Sequence, residues 1–131
     1  MKKIFLIIVL LTSTIFGLNW SKNLKTAFTT AKEHNKTVMI FVEGEYCRWC
    51  KKLEHRILTS DEIEKRLKNY VLVKLDREDD EMEKLPEVQG VPTVFFMTPK
   101  KKVLEEIIGY LEVKDFASYI DDVEKKVKKS K

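Results

Sequence analysis

The chain is expected to fold as an α/β domain in which a central four-stranded mixed sheet is flanked by helices, and three features of the sequence predict this. Residues 37–43 and 70–76 are β-branched and apolar on both faces, as strands covered by helices on two sides are. A helix-forming stretch lies between them, so a crossover makes the two strands parallel. Residues 93–98 and 103–108 form a second pair with a connection so short that it must be an antiparallel hairpin.

Each element follows from its own pattern. Trp20, Leu24, Ala27, Phe28 and Ala31 recur at helical spacing and line one buried face of a first helix that ends near His34 and Asn35. The strand at 37–43 comes next, and residues 48–58 then run as a helix. Thr59-Ser60-Asp61-Glu62 supplies a capping-box pattern for another helix, which carries Ile63 and Leu67. After the strand at 70–76, the acidic segment 79–84 is a short helix or loop stopped by Pro86. The hairpin follows, and Val113, Phe116, Ala117, Ile120 and Val123 mark a last amphipathic helix. No internal repeat, linker or second domain interrupts this order.

The start of the chain has a different character. Lys2 and Lys3 precede an apolar run at residues 4–11, and Gly17 is a small residue before a polar segment. This is the pattern of a secretory signal at residues 1–17, cleaved to leave residues 18–131 as one domain. An uncleaved anchor is the alternative, but the run is interrupted by Thr12, Ser13 and Thr14 and is shorter than the roughly 20 residues a bilayer span needs. Export places the protein in the periplasm or a comparable oxidising compartment. Without Lys2 and Lys3 the net charge falls from +4 to +2, too small to call for nucleic acid as a partner. The basic run at residues 125–131 is the solvated end of a helix, and a monomer is expected.

Cys47 and Cys50 are the only cysteines. A pair three positions apart adds little cross-linking stability, so its purpose is redox or metal chemistry. Cys47 lies where a strand ends and a helix begins, a position that favours the thiolate. Lowering a thiol pKa by two units takes about 2.7 kcal/mol, and a helix end supplies at most about 2 kcal/mol. Hydrogen bonds to the sulfur, from the backbone and thiol of Cys50, must make up the difference. Arg48 tunes the thiolate only if it folds back, and a solvent-facing Arg48 is the simpler expectation.

A strand, then Cys-x-x-Cys opening a helix, then Gly90-Val91-Pro92-Thr93 leading into another strand resembles the thioredoxin superfamily over residues 20–127. The resemblance implies a thioredoxin-like fold and an oxidoreductase exchanging disulfides with protein substrates. It implies no cofactor beyond the Cys47–Cys50 pair and no metal. It also implies that Pro92 is cis and that Val91 and Pro92 receive the substrate backbone beside the dithiol. Lys74-Leu75-Asp76 and Gly109 fall where the family places similar residues, which makes Lys74 a tuning candidate. Tyr46 to Glu54, followed by Thr59-Ser60-Asp61, is most similar to exported members and to the C-terminal domain of the membrane thiol:disulfide interchange protein. That likeness implies a reductase supplied by a membrane electron donor.

Two departures qualify the comparison. Many thioredoxins carry a buried Asp six residues before the first cysteine, and here Phe41 stands there. Strand alternation puts Glu43 on the same side and nearer the dithiol, so it is a candidate substitute, although an exposed, solubilising Glu43 is the simpler expectation. The dipeptide Arg48-Trp49 is neither the Gly-Pro of cytoplasmic thioredoxins nor the Pro-His of strong oxidants, which leaves the direction of electron flow open. Trp49 and Tyr46 are candidates for an apolar rim that meets the substrate. His34 and His55 are expected at the surface. Two other readings remain: a copper-binding or copper-transfer protein using both thiolates, and a non-catalytic peptide-binding module.

Overall fold

Why the chain folds as it does is clearest at its middle strand. A computed structural model describes residues 17–130. Strand β2 (Val38–Glu43) is the centre of a five-stranded sheet, with β3 (Val71–Asp76) parallel on one side and β4 (Thr93–Met97) antiparallel on the other. Residues 38–42 are fully buried, as an apolar strand must be when helices cover both faces. Strand β5 (Val103–Ile108) completes the antiparallel hairpin with β4.

The fifth strand corrects the four-stranded expectation. Trp20 and Ser21 form a short β1 that pairs in parallel with Leu72 and Val73 of β3. Trp20 therefore does not belong to the first helix. Its helical spacing to Leu24 is real, but Asn23 caps the helix after it by accepting a hydrogen bond from the Thr26 amide at 2.8 Å. Such a cap typically contributes about 1 kcal/mol. Trp20 lies on the opposite side of the sheet from that helix, half-buried, with its ring 6.2 Å from that of Phe41.

Helix α1 (Leu24–His34) buries Leu24, Ala27, Phe28 and Ala31 against Val38, Ile40 and Val42 of β2, and Asn35 ends it in the left-handed conformation. The other face of the sheet is covered by α2 (Arg48–Lys52), α3 (Asp61–Leu67) and α4 (Val113–Lys129). The expected helix over 48–58 is present in two forms, because α2 widens into a π-helical segment at Leu53–Leu58 that still buries Leu53, Ile57 and Leu58. The expected capping box before α3 does not form. The Ser60 hydroxyl instead donates back to the Ile57 carbonyl at 2.6 Å, and Asp61, Glu62 and Glu64 supply the negative charge at the helix start. The acidic segment after β3 is a 3-10 helix at Asp80–Lys84, capped by Asp79.

Arg66 of α3 fastens α4 by ion pairs to Asp121 at 2.7 Å and Glu124 at 3.1 Å. Beside them Tyr70 is buried edge-on to Phe96. Burial, reinforced by the Glu124 carboxylate, pushes the Tyr70 hydroxyl up to about 12. In the unfolded chain it ionises near 10, so the folded state keeps its proton over a range in which the unfolded state has lost it. Stability from this group is complete below pH 10 and declines between pH 10 and about 12. The loss amounts to about 2 to 3 kcal/mol. Urea unfolding at pH 9 to 12 is expected to show that extra decline in the natural chain and its absence in Tyr70→Phe; parallel curves would contradict the assignment.

Candidate active site: the Cys47–Cys50 pair

Strand β2 delivers the chain to Gly44-Glu45-Tyr46, and Cys47 then caps α2. The pair is present as a disulfide with Cα atoms 5.2 Å apart. Its two sulfurs are not equivalent. Cys47 is half-buried at the molecular surface, and its sulfur accepts a hydrogen bond from the Cys50 amide at 3.1 Å. Cys50 is fully buried among the core residues of α2 and the sheet. Only Cys47 is reachable by an incoming sulfur, and the backbone contact from Cys50 is of the kind that favours its thiolate.

Opposite Cys47 the Val91–Pro92 peptide is cis. The loop is held by internal hydrogen bonds: Thr93 Oγ1 donates to the Gly90 carbonyl at 2.6 Å, and the Gly109 amide donates to the Pro92 carbonyl at 2.8 Å. Among the described residues, the amide and carbonyl of Val91 engage no partner. Val91, Cys47, Gly44 and Tyr46 border one open groove of about 580 Å3, lined also by Asp76 and Arg77. Gly44 is what allows this closeness. A Cβ there would stand 3.2 Å from Val91 Cγ2 and 3.8 Å from Cys47 Cβ.

Below the pair, Phe41 is fully buried with Cys50 in the same apolar cluster. Glu43, on the same strand face, is half-buried rather than solvent-facing. Burial raises its pKa, the Lys74 ammonium opposes that shift, and Glu54 and Asp76 add to it. Lys74 stands across from Phe41 in the strand register, pairs with Glu54 and lies 5.1 Å from the Trp20 ring centroid. Glu54 is the residue sequence reasoning passed over. It lies four positions after Cys50, a spacing that puts both on one helix face.

The rim is aromatic. Tyr46 is 94% exposed and Trp49 48% exposed. Trp49 packs against Tyr110 with ring centroids 5.3 Å apart, and Lys52 lies over the Trp49 ring at 4.5 Å. Tyr110 had no periodicity to announce it, because it sits in the loop after β5, next to the Gly109 that holds the Pro92 carbonyl. Arg48 is exposed and forms no ion pair among the described residues. His34 and His55 are both exposed, as expected.

A sheet with a cysteine pair at the end of its central strand and a cis-proline loop facing it defines a thioredoxin-fold protein. Residues 24–124 match the thioredoxin-like domain family, and the chain belongs to that family. Anterior gradient protein 3 of Mus musculus is 25% identical over 93 residues, covering 70% of this chain and 56% of that protein. The thiol:disulfide interchange protein DsbD of Actinobacillus pleuropneumoniae is 26% identical over 95 residues, covering 67% of this chain and 16% of that protein. The chain thus spans just over half of one relative and about a sixth of the other. A thioredoxin from Thermus thermophilus has the same fold, with a TM-score of 0.73 at 22% identity over 81% of this chain and 86% of that one.

The raised pKa of Glu43 carries a sign. Its folded pKa lies above the unfolded value, so ionisation opposes folding at neutral pH, and the folded state takes up the proton first as pH falls. Glu43→Gln is expected to unfold at higher urea than the natural chain at pH 7, with the difference shrinking towards pH 4. A difference that grows on acidification would contradict this.

Proposed function

We propose that the protein catalyses thiol:disulfide exchange on exported protein substrates, working as a reductase in the periplasm. The observation that carries this reading is the half-buried Cys47 facing a Val91 peptide whose amide and carbonyl engage no partner among the described residues. An extended substrate segment can pair with that peptide as an added strand and so hold its disulfide against the Cys47 sulfur. Trp49 and Tyr46 would cover the segment on the open side. The family membership and the likeness to an interchange protein support the same chemistry.

In the reducing direction the Cys47 thiolate attacks one substrate sulfur. The substrate S–S bond breaks, its electron pair leaves on the second substrate sulfur, and that sulfur takes a proton. Cys50 then loses its proton and attacks the Cys47 sulfur. The mixed disulfide breaks, the substrate departs with both thiols reduced, and the protein is left with the Cys47–Cys50 disulfide seen in the structure. A membrane-bound dithiol donor resets the pair. With Phe41 filling the place of an acid, the Glu43 carboxylate, beside the Lys74 ammonium, is proposed to take the Cys50 proton. Glu43→Gln should then slow release of the mixed disulfide about tenfold or more at neutral pH. An unchanged release rate removes Glu43 from the mechanism.

Direction is decided by the potential of the pair. Equilibration with glutathione or a stronger dithiol buffer, read by alkylation of Cys47, is expected to place it near the thioredoxin value of about −270 mV rather than near about −120 mV. A value at the oxidising end reverses the direction, and the absence of a reversible disulfide overturns the exchange reading.

A further inference from the structure

Charge is unevenly distributed between the two ends of the sheet. The loops at the dithiol end, residues 44–47, 77–79, 85–92 and 109–112, carry Glu45, Glu78, Asp79, Glu87 and Glu112 against Arg77, and α2 beside them adds Arg48, Lys51 and Lys52, so this end is close to neutral. The opposite end is formed where β2 and β3 begin, β4 ends and β5 begins, because Val38 pairs with both Val71 and Met97, and Met97 pairs with Val103. Its loops, residues 35–37, 68–70 and 98–102, carry five lysines and no acid. The end of α4 joins them with Lys128 and Lys129.

Part of this has a local explanation. Lys68, Lys128 and Lys129 stand at helix C-termini, where positive charge offsets the dipole. Lys101 lies over the Phe28 ring. Lys36 likewise follows the C-cap of α1, whereas no such account covers Lys100 and Lys102; all three are exposed, form no ion pair among the described residues, and rim one hollow of about 440 Å3 lined also by Pro99 and Val127. The chain also enters the domain here. Gly17 and Leu18 border a neighbouring hollow with Lys36, Lys68 and Tyr70, so the apolar run at residues 4–11 connects to the basic end and not to the dithiol end.

We propose that this basic end docks on the surface of a bilayer containing anionic phospholipid, with headgroup phosphates received between Lys36, Lys100 and Lys102. Charge complementarity selects an anionic bilayer as the occupant, and in the uncleaved form the apolar run would join the domain on the same side. The dithiol is then held at least about 20 Å from the surface, the span of a six-residue strand. It faces solvent, where substrates and a donor's projecting thiol domain reach it. Each lysine near an anionic surface contributes about a fivefold gain in affinity.

The test uses the full chain on vesicles of phosphatidylglycerol and phosphatidylcholine and on vesicles of phosphatidylcholine alone. The apolar run can tether the chain to both, so the comparison isolates the lysines. Acylation of amines, read lysine by lysine by mass spectrometry, is expected to show Lys36, Lys100 and Lys102 protected several-fold on the anionic vesicles only, with Lys51 beside the dithiol equally labelled on both. The triple variant K36Q/K100Q/K102Q is expected to lose about a hundredfold in preference for the anionic vesicles. Equal protection on the two vesicle types, or protection centred on Lys51, overturns the proposal. Comparable protection by duplex DNA in place of vesicles also overturns it, since the face would then be a general polyanion site. The labelling of the natural chain decides the matter even where the triple variant fails to fold.

Discussion

The pairing of β2 with β4 is the constraint on which the site depends. Val42 stands opposite Thr93, so the last buried residue of the central strand lies beside the first residue after Pro92. One ladder therefore positions both the loop that carries Cys47 and the loop that carries Val91. A slip of one residue would turn the alternate side chains of β2 to the wrong face, separating Met39 and Phe41 from the helices on one side and Ile40 and Val42 from α1 on the other. Because five consecutive residues of β2 are buried, that slip is costly on both faces at once. Packing of the core thus sets the relative position of the two loops, and the hydrogen bonds within the site hold their local shape.

The same packing explains how the interior beneath the cysteines differs from an acid-containing thioredoxin. Phe41 fills the space with an aromatic ring in contact with Trp20, and carboxylates appear only where the strand approaches the surface. Glu43 and Glu54 flank Lys74 there, one with its pKa raised by burial and the other ion-paired. Charge near the resolving cysteine is held at the rim, where water can share its cost, and the floor is apolar. The half-burial of Glu43 follows from this arrangement, since its strand ends where the helices on that face begin.

Strong periodic signals made most of the fold readable from the sequence. The apolar runs of β2 and β3 and the stripes of α1 and α4 identify their elements because burial of a whole face dictates residue type over several turns or strand positions. Cys47, Cys50 and Pro92 were readable for a different reason, as chemistry-bearing residues at fixed places relative to those elements. What escaped was decided by contacts between distant segments. Two residues, Trp20 and Ser21, cannot declare a strand on their own, and only their pairing with Leu72 and Val73 makes them one. Ser60 had two bonding choices of similar strength, and the widened turn at Leu53–Leu58 brought the Ile57 carbonyl within reach. Tyr110 meets Trp49 across a loop, and the lysines of the basic end are collected from three loops far apart in sequence.

The central claim is that Cys47 attacks while the Val91 peptide holds the substrate chain. Its most direct test is a crystal structure of the Cys50→Ser protein trapped with a disulfide-containing peptide. The account predicts a single mixed disulfide through Cys47, with the peptide extended along residues 90–92 and hydrogen-bonded to both main-chain groups of Val91. A trapped peptide that leaves the Val91 peptide unpaired and runs over another face, or a failure of Cys47 to form any mixed disulfide, would contradict it.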